Sequence, residues 1–233
     1  MKKQIPENKV AIITGAGKGI GKAISIELWK QGYFIILVSR TRSDLEKLKK
    51  FLIRADYFVC DVRYVSQVKK VVNAVAKKYG RIDVLVNNAG LWYHKKIEDT
   101  SESEYDEMVD TNLKGAFLFS KFVIPVMKKQ KSGIIINVSS GAGKYGFPGL
   151  SIYSATKFGI IGMTQSLARE CFQDGIKVFA VCPSGVDTEG YRKKHPSADE
   201  EFFRRLLKPE KVAKEVANLI KKPKKTGESV DVY

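Results

Sequence analysis

The stretch from Val10 to Lys30 constrains this chain more than any other. Val10-Ala11-Ile12-Ile13 is a short apolar, β-branched run that reads as a buried strand. It enters Thr14-Gly15-Ala16-Gly17-Lys18-Gly19-Ile20-Gly21, after which Ile20, Ile24 and Leu28 keep helical spacing through Lys30. Strand, glycine turn and helix together are the setting in which a glycine motif has chemical meaning. Such glycines let backbone amides approach a pyrophosphate, which then lies at a helix N-terminus where the dipole favours anions. The spacing is TGxxxGxG rather than GxGxxG, because Ile20 stands where a third glycine would fall. A turn whose glycines serve only for bending is the plainer alternative.

The remaining pattern alternates strand and helix. Apolar runs at Phe34 to Val38, Tyr57 to Cys60, Val84 to Val86, Ile134 to Val138, Ile176 to Val181 and Ser229 to Tyr233 read as strands. Helical segments follow at Val65 to Tyr79, at Ser101 to Lys129 as one long region, and from Pro209 through Ile220. Ser101 and Glu104 form a capping-box pattern at the start of the long region, and Asp174-Gly175 reads as the glycine cap closing the helix that holds Tyr153. The fold expected is α/β: a single-domain, Rossmann-type, doubly wound parallel sheet of about seven strands with helices on both faces. The 233 residues, 44% hydrophobic, suffice for one substantial core, and no repeat or interdomain linker interrupts them.

Charge and composition restrict the function. The net charge of +16 could attract nucleic acid or an acidic partner, but the lysines are dispersed in short clusters at helix ends and polar faces. A solubilising role accounts for them, so no nucleic-acid partner is expected. No apolar run reaches the roughly 20 residues of a membrane span, and no hydrophobic region follows Lys2-Lys3, so neither membrane association nor a secretory leader is expected. Cys60, Cys171 and Cys182 form no CxxC or Cys/His cluster, which signals neither disulfides nor a metal site. A reducing cytoplasm is the expected location.

At the end of the second strand, a dinucleotide site would use an acidic residue to hold the adenosine ribose. This chain has Ser39 and then Arg40, with Lys18 in the glycine turn. Two cations without an acid suit a 2′-phosphate, which guanidinium grips in charge-assisted bonds. The expectation is NADP(H) in preference to NAD(H), against the alternative of an ordinary surface arginine.

Tyr153 and Lys157 lie four apart, on one face of a helix, with small residues Ser154, Ala155 and Thr156 between them. A phenol with pKa about 10 shuttles protons poorly at neutral pH, whereas a nearby ammonium favours the phenolate and lowers that value. The pair is thus a candidate general acid/base, although the same spacing occurs on many solvated helix faces.

TGxxxGxG after the first strand, Asn87-Asn88-Ala89-Gly90 after the fourth, and the YxxxK pattern after the fifth together resemble the main branch of the short-chain dehydrogenase/reductase family. The resemblance covers nearly the whole chain. It implies a catalytic set of Asn112, Ser140, Tyr153 and Lys157, with Ser139 the less favoured serine and Asn112 continuing a proton relay through water. For the cofactor it implies Thr14, Gly15, Lys18, Gly19, Ile20 and Gly21 in the turn. Ser39, Arg40, Asp61 and Val62 would meet the adenosine. Asn88, Ala89, Gly90, Tyr153, Lys157, Pro183, Val186 and Thr188 would flank the ribose and nicotinamide. Residues 189–208, polar and irregular with one short helix near Glu200 to Leu207, would cover the substrate. Relatives commonly form tetramers through the Asn112 and Tyr153 helices, so a homo-oligomer, tetramer or dimer, is expected.

Two departures stand out. The family pattern Pro-Gly-x-Val-x-Thr has Ser184 at its glycine position here, with Gly185 one later, and the Val-Asp-Gly-Gly ending of many relatives is Val230-Asp231-Val232-Tyr233. The activity implied is hydride transfer between NADP(H) and a small-molecule carbonyl/alcohol pair, with no metal. A 3-oxoacyl-thioester reductase is the narrower alternative, with Arg192, Lys193, Arg204 and Arg205 near the entrance facing an acidic carrier. A non-catalytic NADP-binding or nucleic-acid-associated protein is the remote one. Trp92, Tyr93, Tyr145, Phe147 and Tyr191 are candidate pocket residues, and the substrate's identity is not encoded in any of these patterns.

Overall fold

Seven apolar runs of the described residues, 9–233 in this computed structural model, pair as one parallel sheet. Residues 1–8, which include the expected leaderless start, lie outside them. The strands are β1 (Val10–Thr14), β2 (Phe34–Ser39), β3 (Ala55–Val59), β4 (Val84–Asn87), β5 (Gly133–Val138), β6 (Ile176–Pro183) and β7 (Ser229–Val232), in the order β3-β2-β1-β4-β5-β6-β7. β1 runs parallel to both β2 and β4, so the winding direction reverses between β1 and β4. In a sheet of this kind the crevice outside the carboxyl ends at the reversal is where ligands bind.

Strand side chains alternate between faces, and that period divides the core. Ala11 and Ile13 pack with Ile24 and Leu28 of α1 (Gly19–Lys30), with Leu45 of α2 (Arg42–Phe51), and with Val212 and Val216 of α9 (Pro209–Lys221). Val10 and Ile12 face the other layer, with Val68 and Val72 of α3 (Val65–Tyr79) and Phe119 and Val123 of α5 (Gly115–Gln130). A strand covered on both faces has no polar side, which is why β1 reads as an uninterrupted apolar run.

Three segments differ from the sequence expectation. The long helix is two: α4 (Glu102–Val109), started by the expected Ser101/Glu104 capping box, and α5, separated by a π-turn at Asp110–Lys114. A wide turn of this sort re-aims one side chain, and here it turns Asn112 toward the end of β4. Helix α6 (Ser151–Glu170) stops at Cys171 rather than at Gly175; a 3-10 turn, Phe172–Asp174, intervenes, and Gly175 at φ 71° leads into β6. The buried Cys171 holds that corner against the core, so the glycine signal falls one turn late. Residues 189–208 contain two short helices, α7 (Glu189–Lys194) and α8 (Glu200–Arg204), capped by the side chains of Thr188 and Asp199. Helix α8 lies within the short helix expected near Glu200 to Leu207, whereas α7, started by the local bond from its Thr188 cap, was not expected. No helix among the described residues is long and apolar enough to cross a membrane.

Candidate active site

The carboxyl ends of β1 and β4 are stitched together at the reversal. The Thr14 hydroxyl accepts from the Asn88 and Ala89 backbone N–H groups at 2.9 and 3.0 Å, and Asn88 Nδ2 donates to the Thr14 carbonyl at 2.9 Å. These two side chains are therefore engaged in shaping the floor of the crevice. Below them, Asn87 donates to Asn137 and Asn137 to Thr164, both at 2.9 Å, linking β4, β5 and α6 through buried amides.

The glycine turn fits a pyrophosphate. A Cβ on Gly21 would overlap the Gly15 carbonyl and stand 2.5 Å from Asn88 Nδ2, so only glycine permits so tight a turn against β4. Helix α1 has no acidic residue in its first turn, and its N-cap, Lys18, makes no side-chain capping bond. The first amides thus remain available to an anion. Ile20 packs against the core beside them.

At the carboxyl end of β2, the Ser39 hydroxyl accepts from the Thr41 N–H at 3.3 Å. Asp61 takes three bonds from the Arg63 guanidinium at 2.7–3.0 Å, and although burial raises its pKa, those bonds outweigh it and hold the carboxyl below its ordinary value. Val62 is buried against Gly115 at the head of α5. Arg40 and Lys18 both flank this end with more than half their side-chain surface exposed, 55% and 54%.

The reactive end gathers β4, β5, α6 and the π-turn. Ser139 and Ser140 separate clearly: the Ser139 hydroxyl donates to the Lys157 carbonyl at 2.9 Å, whereas Ser140 accepts from the Ala142 N–H at 3.1 Å and keeps its own proton available to the crevice. Tyr153 is partly buried beside Ser140. Burial pushes its phenol above the ordinary value, and the Ser140 hydroxyl pulls only partly against that. Lys157 is 5% exposed, and desolvation lowers its ammonium to about 8, with Cys182 exerting a small opposing pull. Its Nζ donates to the Val138 carbonyl at 2.9 Å and lies 5.6 Å from the centre of the Tyr153 ring. Burial rather than this ammonium therefore sets the direction of the phenol's shift.

Asn112 uses both of its amide hydrogens and one lone pair of its amide oxygen. Its Oδ1 accepts from the Leu91 N–H at 2.8 Å, and its Nδ2 donates to the Leu91 carbonyl at 2.9 Å and to Thr156 Oγ1 at 3.1 Å. Gly90 keeps the space between: a Cβ there would come 3.2 Å from Asn112 Oδ1 and 3.6 Å from Lys157 Nζ. Thr156 completes the link by donating to the Tyr153 carbonyl at 2.7 Å. Sequence reasoning missed Thr156, which looks like a filler residue between the tyrosine and the lysine.

The family model described as short chain dehydrogenase matches residues 9–199. The chain belongs to that family. This short-chain dehydrogenase is 40% identical over 216 residues to the 3-oxoacyl-(acyl-carrier-protein) reductase FabG of Thermotoga maritima, an alignment covering 89% of this chain and 88% of that protein. FabG of Staphylococcus aureus (strain Mu50) is 38% identical over 183 residues, covering 76% and 74% of the two chains. Among solved structures, ElxO with NADP bound superposes at a TM-score of 0.90 with 31% identity and 97% of each chain covered. A single-substitution variant of actinorhodin polyketide ketoreductase with NADPH does so at 0.91 with 34% identity, covering 97% and 96%. The chain is accordingly an oxidoreductase of the CH–OH/C=O type.

In this dehydrogenase the segment after β6 packs back toward the glycine turn and toward Trp92. Ser184 is exposed and its N–H donates to the Val232 carbonyl at 3.1 Å, while Val186 bridges to Leu207, so the departure from the family pattern leaves a hydrogen-bonded backbone. Pro183 ends β6. Thr188 stands over Gly19, but its hydroxyl caps α7 by accepting from the Tyr191 N–H at 3.1 Å. Lys194 at the end of α7 reaches across to the Trp92 carbonyl and lies 4.8 and 4.7 Å from the Trp92 and Tyr93 ring centres. Tyr191 and His195 stack at 4.3 Å and meet Trp92 at 5.8 and 5.7 Å. Tyr145 and Phe147 are exposed. Of the four cations expected to face an acidic carrier, Arg192 is held by Asp187 and Glu200, Lys193 by Glu189 and Arg205 by Glu201. Lys194 was not among them, and no local pattern marks a lysine whose contact lies 102 residues away.

Proposed function

We propose that this chain is an NADP(H)-dependent reductase and dehydrogenase of a small carbonyl/alcohol pair, with Tyr153 as the general acid/base. The observation that carries the reading is the convergence of Ser140, Tyr153 and Lys157 beside an anion-accepting glycine turn at the sheet's reversal point. When bound, the nicotinamide supplies or accepts the hydride. Ser140 and Tyr153 hold the substrate oxygen by hydrogen bonds where negative charge develops. In reduction the Tyr153 hydroxyl gives its proton to that oxygen, and in oxidation its phenolate takes one back. The buried Lys157 ammonium supplies positive charge 5.6 Å from the centre of the phenol ring, where it favours the phenolate formed as Tyr153 gives up its proton. Asn112 fixes the β4 end, the π-turn and, through Thr156, the backbone of Tyr153. Tyr153→Phe is expected to abolish turnover while NADPH still binds; substantial turnover in that variant would refute the mechanism.

Lys18 and Arg40 support NADP(H) over NAD(H), since β2 ends in Ser39 and Arg40 follows it, with a carboxylate at neither position. Comparable kcat/KM with NADH and NADPH would count against it. A 3-oxoacyl thioester is the second substrate reading, favoured by the 40% identity to the Thermotoga maritima reductase of that name. Paired entrance cations weaken its acidic-carrier component. Comparing acetoacetyl-coenzyme A with simple ketones and aldehydes under NADPH decides between the two.

The two-layer core supports a single domain over 1–233, with residues 189–208 as its substrate cover. Exposed Tyr105, Phe117 and Phe158 on α4, α5 and α6 support a homo-oligomer, which sedimentation tests. Three buried, unpaired cysteines suit a reducing cytoplasm.

A further inference from the structure

Both cations assigned above to a 2′-phosphate already have carboxylate partners. Arg40 Nη1 lies 3.8 Å from Glu107 Oε1. Lys18 Nζ lies 3.5 Å from Glu189 and 3.7 Å from Asp44. Glu107 comes from α4 and Glu189 is the first residue of α7, so both glutamates lie outside the glycine turn and β2. Each has another partner of its own. Glu107 accepts from the Tyr93 hydroxyl at 2.5 Å and sits 3.6 Å from Arg63, while Glu189 pairs with Lys193 at 2.7 Å. Either cation can therefore turn away without leaving its glutamate unpaired.

We propose that Glu107 and Glu189 are determinants of cofactor specificity: they are the standing counter-ions of Arg40 and Lys18, and a 2′-phosphate must displace them. The inference rests on the reading of Lys18 and Arg40 given above. An arriving phosphate dianion gains charge-assisted bonds to both cations but enters the negative field of both carboxylates. A neutral 2′-hydroxyl feels that field only weakly. The two glutamates thus hold the discrimination between NADP(H) and NAD(H) below what the cations alone would give. Asp44 also reaches Lys18, but it serves the first turn of α2 as well, so its substitution would mix two effects.

The experiment is calorimetric binding of NADPH, NADH, adenosine 2′,5′-bisphosphate and 5′-AMP to the whole protein. Glu107→Gln is expected to tighten NADPH and the bisphosphate about three- to tenfold, with NADH and 5′-AMP shifting less than about twofold, the scale set by one exposed ion pair. Glu189→Gln should act in the same direction with a smaller effect. In an Arg40→Ala background the Glu107→Gln effect should shrink to the part that acts directly on the phosphate. Equal shifts for phosphorylated and unphosphorylated ligands, or weaker NADPH binding, would overturn the inference. If the unaltered protein does not prefer NADPH, the reading of Lys18 and Arg40 fails. If it does prefer NADPH and neither glutamine variant changes the ratio, only the role of the glutamates fails. Glu189 is half-exposed, so its variant decides the matter even where Glu107→Gln folds poorly.

Discussion

Lys157 gives its buried ammonium to the Val138 carbonyl at 2.9 Å, and no carboxylate among the described residues pairs with it. Desolvation lowers its pKa from 10.5 to about 8. Below about pH 8 the group is charged in both folded and unfolded chains and its burial is destabilising. Between about 8 and 10.5 the unfolded chain binds a proton that the folded one does not, so this site's contribution to stability rises with pH. The net penalty at pH 7, the bond to Val138 included, is about 3 kcal/mol, and replacing the lysine relieves it but leaves the Val138 carbonyl without its donor at a cost of about 1 kcal/mol. Lys157→Met is therefore expected to stabilise the cofactor-free protein by about 2 kcal/mol at pH 7 while removing activity. Thermal melts at pH 7 and 9 check it; a lower melting temperature for the variant at pH 7 contradicts the prediction.

Asn112 ties Leu91 and Thr156 together through its amide. Asn112→Ala leaves the half-buried backbone groups of Leu91 without their side-chain partner, which should destabilise the fold by about 1–3 kcal/mol. Chemical denaturation of the cofactor-free protein measures this. A loss of activity with unchanged stability would instead assign the side chain a role in proton transfer alone.

Gly21→Ala places a methyl against the Gly15 carbonyl. The turn must open, so cofactor affinity is expected to fall more than tenfold, with a stability loss of about 1–3 kcal/mol. Fluorescence titration with NADPH reads the first effect. Unchanged affinity would mean that the turn does not hold the pyrophosphate.

Asp187 anchors the segment after β6, bonding Arg192 at 2.6 and 3.0 Å and Lys208 at 2.8 Å. The Arg192 bonds lead in holding its carboxyl down at about 2, against 3.8 ordinarily. A depressed carboxylate stabilises above its unfolded-state value, and that contribution disappears as pH falls from about 4 toward 2. Asp187→Asn should expose α7 to faster hydrogen exchange at neutral pH, with β1 unaffected. Equal protection of α7 in both proteins would show that the backbone bridge from Asp187 to Leu207 suffices.

The sheet, its central glycine turn and the shared face of Tyr153 and Lys157 were legible because each is written in consecutive residues. A two-residue or four-residue period and the steric demand of one tight turn act locally, and they need no knowledge of distant partners. The capping box at Ser101 and Glu104 was legible for the same reason. The π-turn at Asn112, by contrast, depends on Leu91 and Thr156, which approach from elsewhere in the chain.

The sequence by itself determined the parallel α/β fold and which residue types could bind a dinucleotide and move a proton. Only the tertiary structure decided how those groups are paired and charged. It set Ser139 to the backbone and Ser140 to the crevice, gave Arg40 to Glu107, and joined Lys18 to Glu189 across 171 residues. The physical reason is that a side chain's proton affinity and free valence follow from burial and from neighbours within a few ångströms, and sequence spacing does not specify either across a folded chain.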